Sequence, residues 1–148
     1  MSLISASSIM CARHITNLEI DAETAESVKK TIGSAFPVES EQDMEVAGND
    51  IASGEPRKVM VSAGEIRKAL SRQVSLIVEC VREVIHDAGP KYAKVIMDRG
   101  IILSGGGSLL RGLDELLTKE TGLKVVRMEA PDSCAIDGVG IVLKELNR

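Results

Sequence analysis

At 148 residues and a formal net charge of −4, the chain has room for one ordinary domain or a compact pair of subdomains. Its 44% hydrophobic share supplies an aliphatic core, with Phe36 and Tyr92 as the sole aromatics and no Trp. So few ring faces and a net negative charge exclude stacking on single-stranded nucleic acid and binding to a bare phosphate backbone, so no nucleic-acid partner is expected.

Cys11, Cys80 and Cys134 are odd in number, widely spaced and without a C-x-x-C pair. They read as reduced thiols of a cytoplasmic protein rather than as a disulfide framework or a zinc site, and no metal site is expected. Cys80 falls among apolar helix positions and reads as a small core residue. No stretch approaches the roughly 20 apolar residues that span a bilayer. The start of the chain lacks a basic n-region, so neither a signal peptide nor direct membrane insertion is expected.

In chain order, the first segment carries Leu3, Ile4, Ile9, Met10 and Ile15 without a clear period. From Ala22 to Ile32, Ala25, Val28 and Ile32 share one face of a predicted helix that Gly33 ends. The stretches 44–48 and 57–61, joined by a turn-rich loop with Gly54 and Pro56, predict a β-hairpin or small sheet. Ser62-Ala-Gly-Glu65 is a capping box. It opens the strongest helical pattern, with Ile66, Leu70, Val74, Ile77, Val81 and Ile85 at spacings of three and four, which Gly89-Pro90 is expected to close. A short turn over 92–97 follows, with Asp98 and Arg99 as a turn-stabilising pair.

The run Gly100-Ile-Ile-Leu-Ser-Gly-Gly-Gly-Ser-Leu-Leu-Arg-Gly-Leu-Asp-Glu-Leu-Leu117 is the most informative stretch. Ile101, Ile102 and Leu103 predict a short buried strand that breaks at Gly105, Gly106 and Gly107 into a helix. That helix carries a continuous stripe of Leu109, Leu110, Leu113, Leu116 and Leu117. A helix opening there would bring free N–H groups and a partial positive charge to the glycines. Strand–glycine–helix junctions are where nucleotides commonly sit in α/β proteins. No Gly-Lys-Ser/Thr follows, and no acidic residue stands where a dinucleotide fingerprint needs one. Backbone contact with a base or ribose therefore fits better than a triphosphate cradle. A strand over 123–128, a turn at 130–132 and a last helix with Ile136, Val139, Val142, Leu143 and Leu146 complete the chain. The alternation predicts a parallel strand pair joined by a crossover.

Glu26 and Lys29 stand three residues apart on the first helix. On spacing alone this is a solvated surface pair. The functional alternative is a carboxylate accepting from ribose hydroxyls beside an ammonium lying along a nucleoside. His14 and His86 have no nucleophile or metal partner nearby in sequence, and Asp137 reads as a cap or exposed charge. No catalytic residue is assigned.

Taken together, Thr24-Ala-Glu-Ser-Val-Lys29, Ile32-Gly-Ser-Ala-Phe-Pro37, the region 46–54, the block 96–114 and Glu120-Thr-Gly122 closely resemble the C-terminal part of the bacterial actin-like MreB family. The resemblance implies an α/β, actin-like ATPase fold in part: a second lobe with a small inserted α+β subdomain. It divides the chain into a poorly matched segment 1–21, the inserted subdomain 22–85 and part of the larger subdomain over 86–148. It implies ATP as the ligand. Glu26 and Lys29 would contact the nucleoside, and Gly105, Gly106, Gly107 and Ser108 would form the adenosine motif with Leu109 beside it. Filament formation in control of cell shape follows from the same likeness. The implied partners are further copies, full-length filament subunits and cell-wall morphogenesis proteins. The family's phosphate-binding hairpins, its catalytic acid and its Mg²⁺ ligands have no counterpart in these residues. ATP hydrolysis by this chain alone is therefore not expected, and an interaction module acting on filaments is the alternative. Ser104 stands where the family has Thr, Glu129-Ala-Pro-Asp132 departs from its acidic-Asp-Pro-Leu pattern, and Val139 replaces a common Thr.

Overall fold

The computed structural model describes residues 15–146. Cys11, His14 and the irregular start of the chain lie outside the described residues.

A short strand β1 (Leu18–Glu19) leads into helix α1 (Ala22–Ile32), followed by strands β2 (Asp43–Asp50) and β3 (Pro56–Ser62). The three strands form one antiparallel sheet in the order β1-β2-β3. Alternation places Met44 and Val46 opposite Val61 and Val59, so one face of the hairpin turns inward while Met60 remains exposed. The hairpin turn is fixed by Asp50, whose carboxylate accepts from the N–H groups of Ala52 and Ser53 and pairs with Arg57 at 3.0 Å. Those contacts, the Ser53 N–H foremost, hold the Asp50 carboxyl below its ordinary value.

Helix α2 (Ala63–Arg99) begins at the predicted capping box. Ser62 Oγ accepts from the Glu65 N–H, and the Glu65 carboxylate accepts from the Ser62 N–H at 2.9 Å. Ile66, Leu70, Val74 and Val78 are its buried stripe. The helix does not end at Gly89. That residue alone departs from helical geometry, and helical structure resumes through Pro90 to Arg99. The expected turn over 92–97, and the pair Asp98 and Arg99, are therefore the end of a helix. Cys80 is exposed, a correction to its expected burial: it lies off the stripe that Val74 and Val78 define.

Replacing Ser62 with alanine is expected to destabilise the fold by about 1 kcal/mol at neutral pH, measured by urea unfolding. The N–H and hydroxyl of Ser62 hold the Glu65 carboxyl below its ordinary 4.5, so this support is present above that pH and is lost as the pH falls through the lower folded value. The difference between parent and variant should therefore narrow on acidification. A difference that widens instead would contradict the cap.

Strand β4 (Ile101–Leu103) and strand β5 (Val125–Arg127) pair in parallel, with helix α3 (Leu113–Thr121) between them in sequence. The parallel pair is as expected, but β4 is not a buried strand: Ile102 is 67% exposed. Among the described residues only two strands make up this sheet, and one flank of each has no strand neighbour there. Helix α4 (Cys134–Leu146) buries none of its residues, although Ile136, Val139, Val142, Leu143 and Leu146 are apolar. Asp137 accepts from Ser133 Oγ in its first turn.

The core gathers Leu18, Val28, Ile32, Val46, Val61, Leu70 and Leu117 from both parts of the chain. Helix α1 packs on β2, and α2 packs on α1 and on α3. Arg82 of α2 reinforces the last contact by donating to the carbonyl and carboxylate of Glu120. No helix among the described residues is long and apolar enough to cross a membrane.

Candidate functional site

Helix α1 starts at Asp21, whose side chain accepts from the Thr24 N–H at 2.7 Å and whose carboxyl is thereby held low. Burial of Ala25, Val28 and Ile32 fixes the rotation of the helix and leaves Glu26 and Lys29 at the margin of the buried face. The Lys29 ammonium lies 2.6 Å from the Glu26 carboxylate, and Lys30 approaches the other oxygen at 4.0 Å. The Lys29 side chain is 14% exposed and that of Glu26 31% exposed. This is not the solvated pair that spacing alone suggests. Both groups are partly withdrawn from water, where a charged pair acts more strongly on a ligand.

After β4 the backbone turns at Gly105, with φ of 81°. A side chain there would be strained whatever the space, which accounts for glycine at this position. A single 3₁₀ turn, Gly106–Leu109, follows. Ser108 is buried, and its Oγ donates to the Gly105 carbonyl at 2.7 Å. The Gly105 N–H donates to the Pro131 carbonyl, so the loop before α4 buttresses the turn from the other side. A Cβ built on Gly105 or Gly106 would meet nothing within 4 Å among the described residues. The turn therefore presents open backbone, with half-exposed Leu109 beside it.

The helix expected directly after the glycines begins later. Leu110, Arg111 and a left-handed Gly112 intervene before α3 starts at Leu113, whose N–H already donates to the Leu110 carbonyl. The helix terminus is thus not delivered to the glycines, and what faces outward there is turn backbone and Leu109. The reason is partly in the backbone of 110–112 and partly in a distant segment that packs on it. Leu110 turns extended, at φ −61° and ψ 122°, and ends the 3₁₀ turn. The left-handed Gly112, where a Cβ would lie 3.0 Å from the Phe36 Cβ and close to its backbone, then sets the start of α3 at Leu113.

The two groups of residues are joined through Arg111 and residues 33–36. Ser34 and Arg111 form a parallel bridge, the Ala35 N–H donates to the Arg111 carbonyl at 2.7 Å, and Arg111 Nε donates to the Gly33 carbonyl at 3.2 Å. Lys119 lies over the Phe36 ring, 5.1 Å from its centroid. Glu26 and Lys29 come together on α1, and Gly105, Gly106, Gly107, Ser108 and Leu109 share one turn. Lys29 stands one helical turn before the segment that ties the two. Arg111 was not among the residues singled out from sequence. Its signal is a lone cation between a leucine pair and a glycine.

Elsewhere, a cavity of about 210 Å³ between α2 and α3, lined by Val74, Val78, Arg82, Leu116 and Glu120 among others, includes none of these residues. Among the described residues no cluster of His, Cys, Asp and Glu could hold a metal ion. His86 is exposed beside Asp87.

A three-stranded antiparallel sheet with two helices, tied through residues 33–36 and Arg111 to a parallel strand pair that carries a glycine turn, is part of an actin-like fold. Over 97% of its length the chain superposes on 44% of MreB5 of Spiroplasma citri bound to ADP, with a TM-score of 0.91 and 33% identity. A MamK double helical filament subunit gives a TM-score of 0.69 at 16% identity, over 87% of this chain and 39% of that one, which speaks to the fold alone. Residues 4–148 match the family described as MreB/Mbl protein, and the chain belongs to that family. It is 40% identical to the cell shape-determining protein MreB of Escherichia coli over 86% of this chain and 37% of that protein. To Mbl of Bacillus subtilis it is 35% identical, over 88% of this chain and 39% of the relative. The chain spans about two fifths of the length of these curated relatives.

Proposed function

We propose that this region forms one wall of the adenosine pocket of an actin-like filament subunit acting in cell-shape determination. The observation that carries the reading is the strap in which Arg111, just after the open glycine turn, is bonded to residues 33–35, just after the helix that holds the Glu26–Lys29 pair. Two solved MreB5 structures of Spiroplasma citri carry ADP and AMPPNP, which supports a nucleotide at the corresponding fold.

The residues present fit the nucleoside end of ATP. Open backbone at Gly105 and Gly106 lets a flat base approach, Leu109 offers an apolar edge, and the Glu26 carboxylate can accept from ribose hydroxyls while the Lys29 stem lies alongside. Fixed donors for a γ-phosphate and a base-positioned water, which phosphoryl transfer requires, are not among the residues assigned here. In this reading the chain binds the nucleoside and hydrolysis needs further machinery. Self-association into filaments, contact with cell-wall morphogenesis proteins and a cytoplasmic location belong to the same proposal.

Titration calorimetry with adenosine and ATP tests it. The two should bind weakly and within about threefold of each other, because only the nucleoside is held. A gain of about tenfold or more for ATP would overturn the half-site and require a phosphate site on this chain. Absence of binding to either, by a folded protein, would favour a second reading: a module that caps or modulates filaments of a full-length relative. The exposed apolar positions of α4 and of the β4–β5 sheet favour that reading, since apolar side chains left in water on neighbouring elements suit an interaction face.

A further inference from the structure

We propose that Arg111 is a positioning residue of the nucleoside site, setting the separation between the Glu26–Lys29 helix and the glycine turn. The inference rests on the adenosine reading above.

Hydrogen bonds run from the end of α1 to Arg111, and the neighbouring Leu110 N–H donates to the Gly107 carbonyl of the turn at 3.3 Å. The Gly33 N–H donates to the Lys29 carbonyl at 2.9 Å, and the Gly33 carbonyl accepts from Arg111 Nε at 3.2 Å. The Arg111 carbonyl then accepts from the Ala35 N–H at 2.7 Å. One residue thus grips the segment leaving α1 with both side chain and backbone, two positions after the 3₁₀ turn ends at Leu109. The close packing of Gly112 on Phe36 removes slack from the same junction.

The state of the guanidinium argues that stability is not its main task. Its Nη2 atom is buried and has no hydrogen-bond partner among the described residues. An unpartnered buried donor on a charged group is costly, and an apolar side chain would fill the space without that cost. What an apolar residue cannot do is hold the Gly33 carbonyl at a fixed distance. Ligands that touch both walls depend steeply on such spacing, because misplacement of about 1 Å is enough to lose the gain from orientation. A ligand that touches one wall is indifferent to it.

Adenosine and adenine separate these cases. Adenine meets the glycine turn alone, whereas adenosine also reaches Glu26 through its ribose. Calorimetric affinities of the parent protein, Arg111→Ala and Arg111→Lys for both ligands provide the test. The parent should prefer adenosine. In Arg111→Ala the adenosine affinity should fall about tenfold toward that of adenine, while adenine changes less than about twofold. Arg111→Lys keeps the charge but lacks the Nε donor, and should behave like the alanine variant. Parallel losses for both ligands, or no loss, would overturn the role of Arg111 and leave the adenosine reading standing. A folded parent that binds neither ligand overturns both.

Should the variants fail to fold, the parent protein still decides. Adenosine should slow hydrogen exchange of the Ala35 amide several-fold more than saturating adenine does. Equal slowing by the two ligands would overturn the proposal.

Discussion

Gly100→Ala is expected to destabilise the protein by roughly 3 kcal/mol or more. Gly100 has φ of 75° and ψ of −156°, a region open essentially to glycine alone. A Cβ there would lie 2.1 Å from the Lys124 carbonyl oxygen. Backbone, unlike the tip of a long side chain, cannot move aside without consequence. That same oxygen accepts from the Ile101 N–H at 2.8 Å, the bond that opens the parallel ladder. The substitution therefore strains one residue and pries apart β4 and β5 at their start. Urea unfolding followed by circular dichroism should show a midpoint lowered by about 1–3 M, given slopes near 1–3 kcal/mol/M. A shift equivalent to less than about 1 kcal/mol would mean that Gly100 does not hold this geometry.

Leu117→Ala is expected to cost about 3 kcal/mol, within the range for truncating a fully buried leucine. Leu117 is 0% exposed and belongs to the core that α3 shares with the sheet and α2. Leu109, at the other end of the stripe seen in the sequence, is half-exposed beside the glycine turn. Leu109→Ala should alter stability by less than about 0.5 kcal/mol. A single helix carrying both leucines on one buried face would make the two variants similarly costly. Comparing their unfolding midpoints therefore decides whether the turn and α3 are separate elements.

Local chemistry located most of the elements. Gly33 ends α1 as a helix-stop residue should, and the Ser62–Glu65 box opens α2 where the pattern placed it. The alternation around Val46 and Val59 defined the hairpin. What escaped depends on distant parts of the chain. β1 is two residues long and exists because Leu18 and Glu19 pair with Asp50 and Asn49, some thirty residues on. The exposure of Ile102 and of α4 follows from what packs on them, which an apolar run does not specify. The late start of α3 depends on Phe36 meeting Gly112, a contact that no periodicity records.

The site followed the same division. Glu26 and Lys29 form the pair their spacing suggests, at 2.6 Å, but their partial burial comes from the surrounding fold. The open backbone at the glycines was implicit in their lack of side chains. Arg111 is an unremarkable cation in sequence, and only the return of residues 33–36 to its side makes it the link between the walls.

The break at Gly89 has a consequence for reach. A straight α-helix of the 37 residues in α2 would extend about 55 Å. A compact chain of 148 residues is only roughly 40 Å across. One unbroken rod would carry its end well past the body of the molecule. Gly89, at φ 68° and ψ −178°, lets the axis change direction, and Pro90 starts the second segment with no N–H to leave stranded. The first segment can then be as long as the core demands, while the second takes whatever heading brings Gly100 to the edge of Lys124.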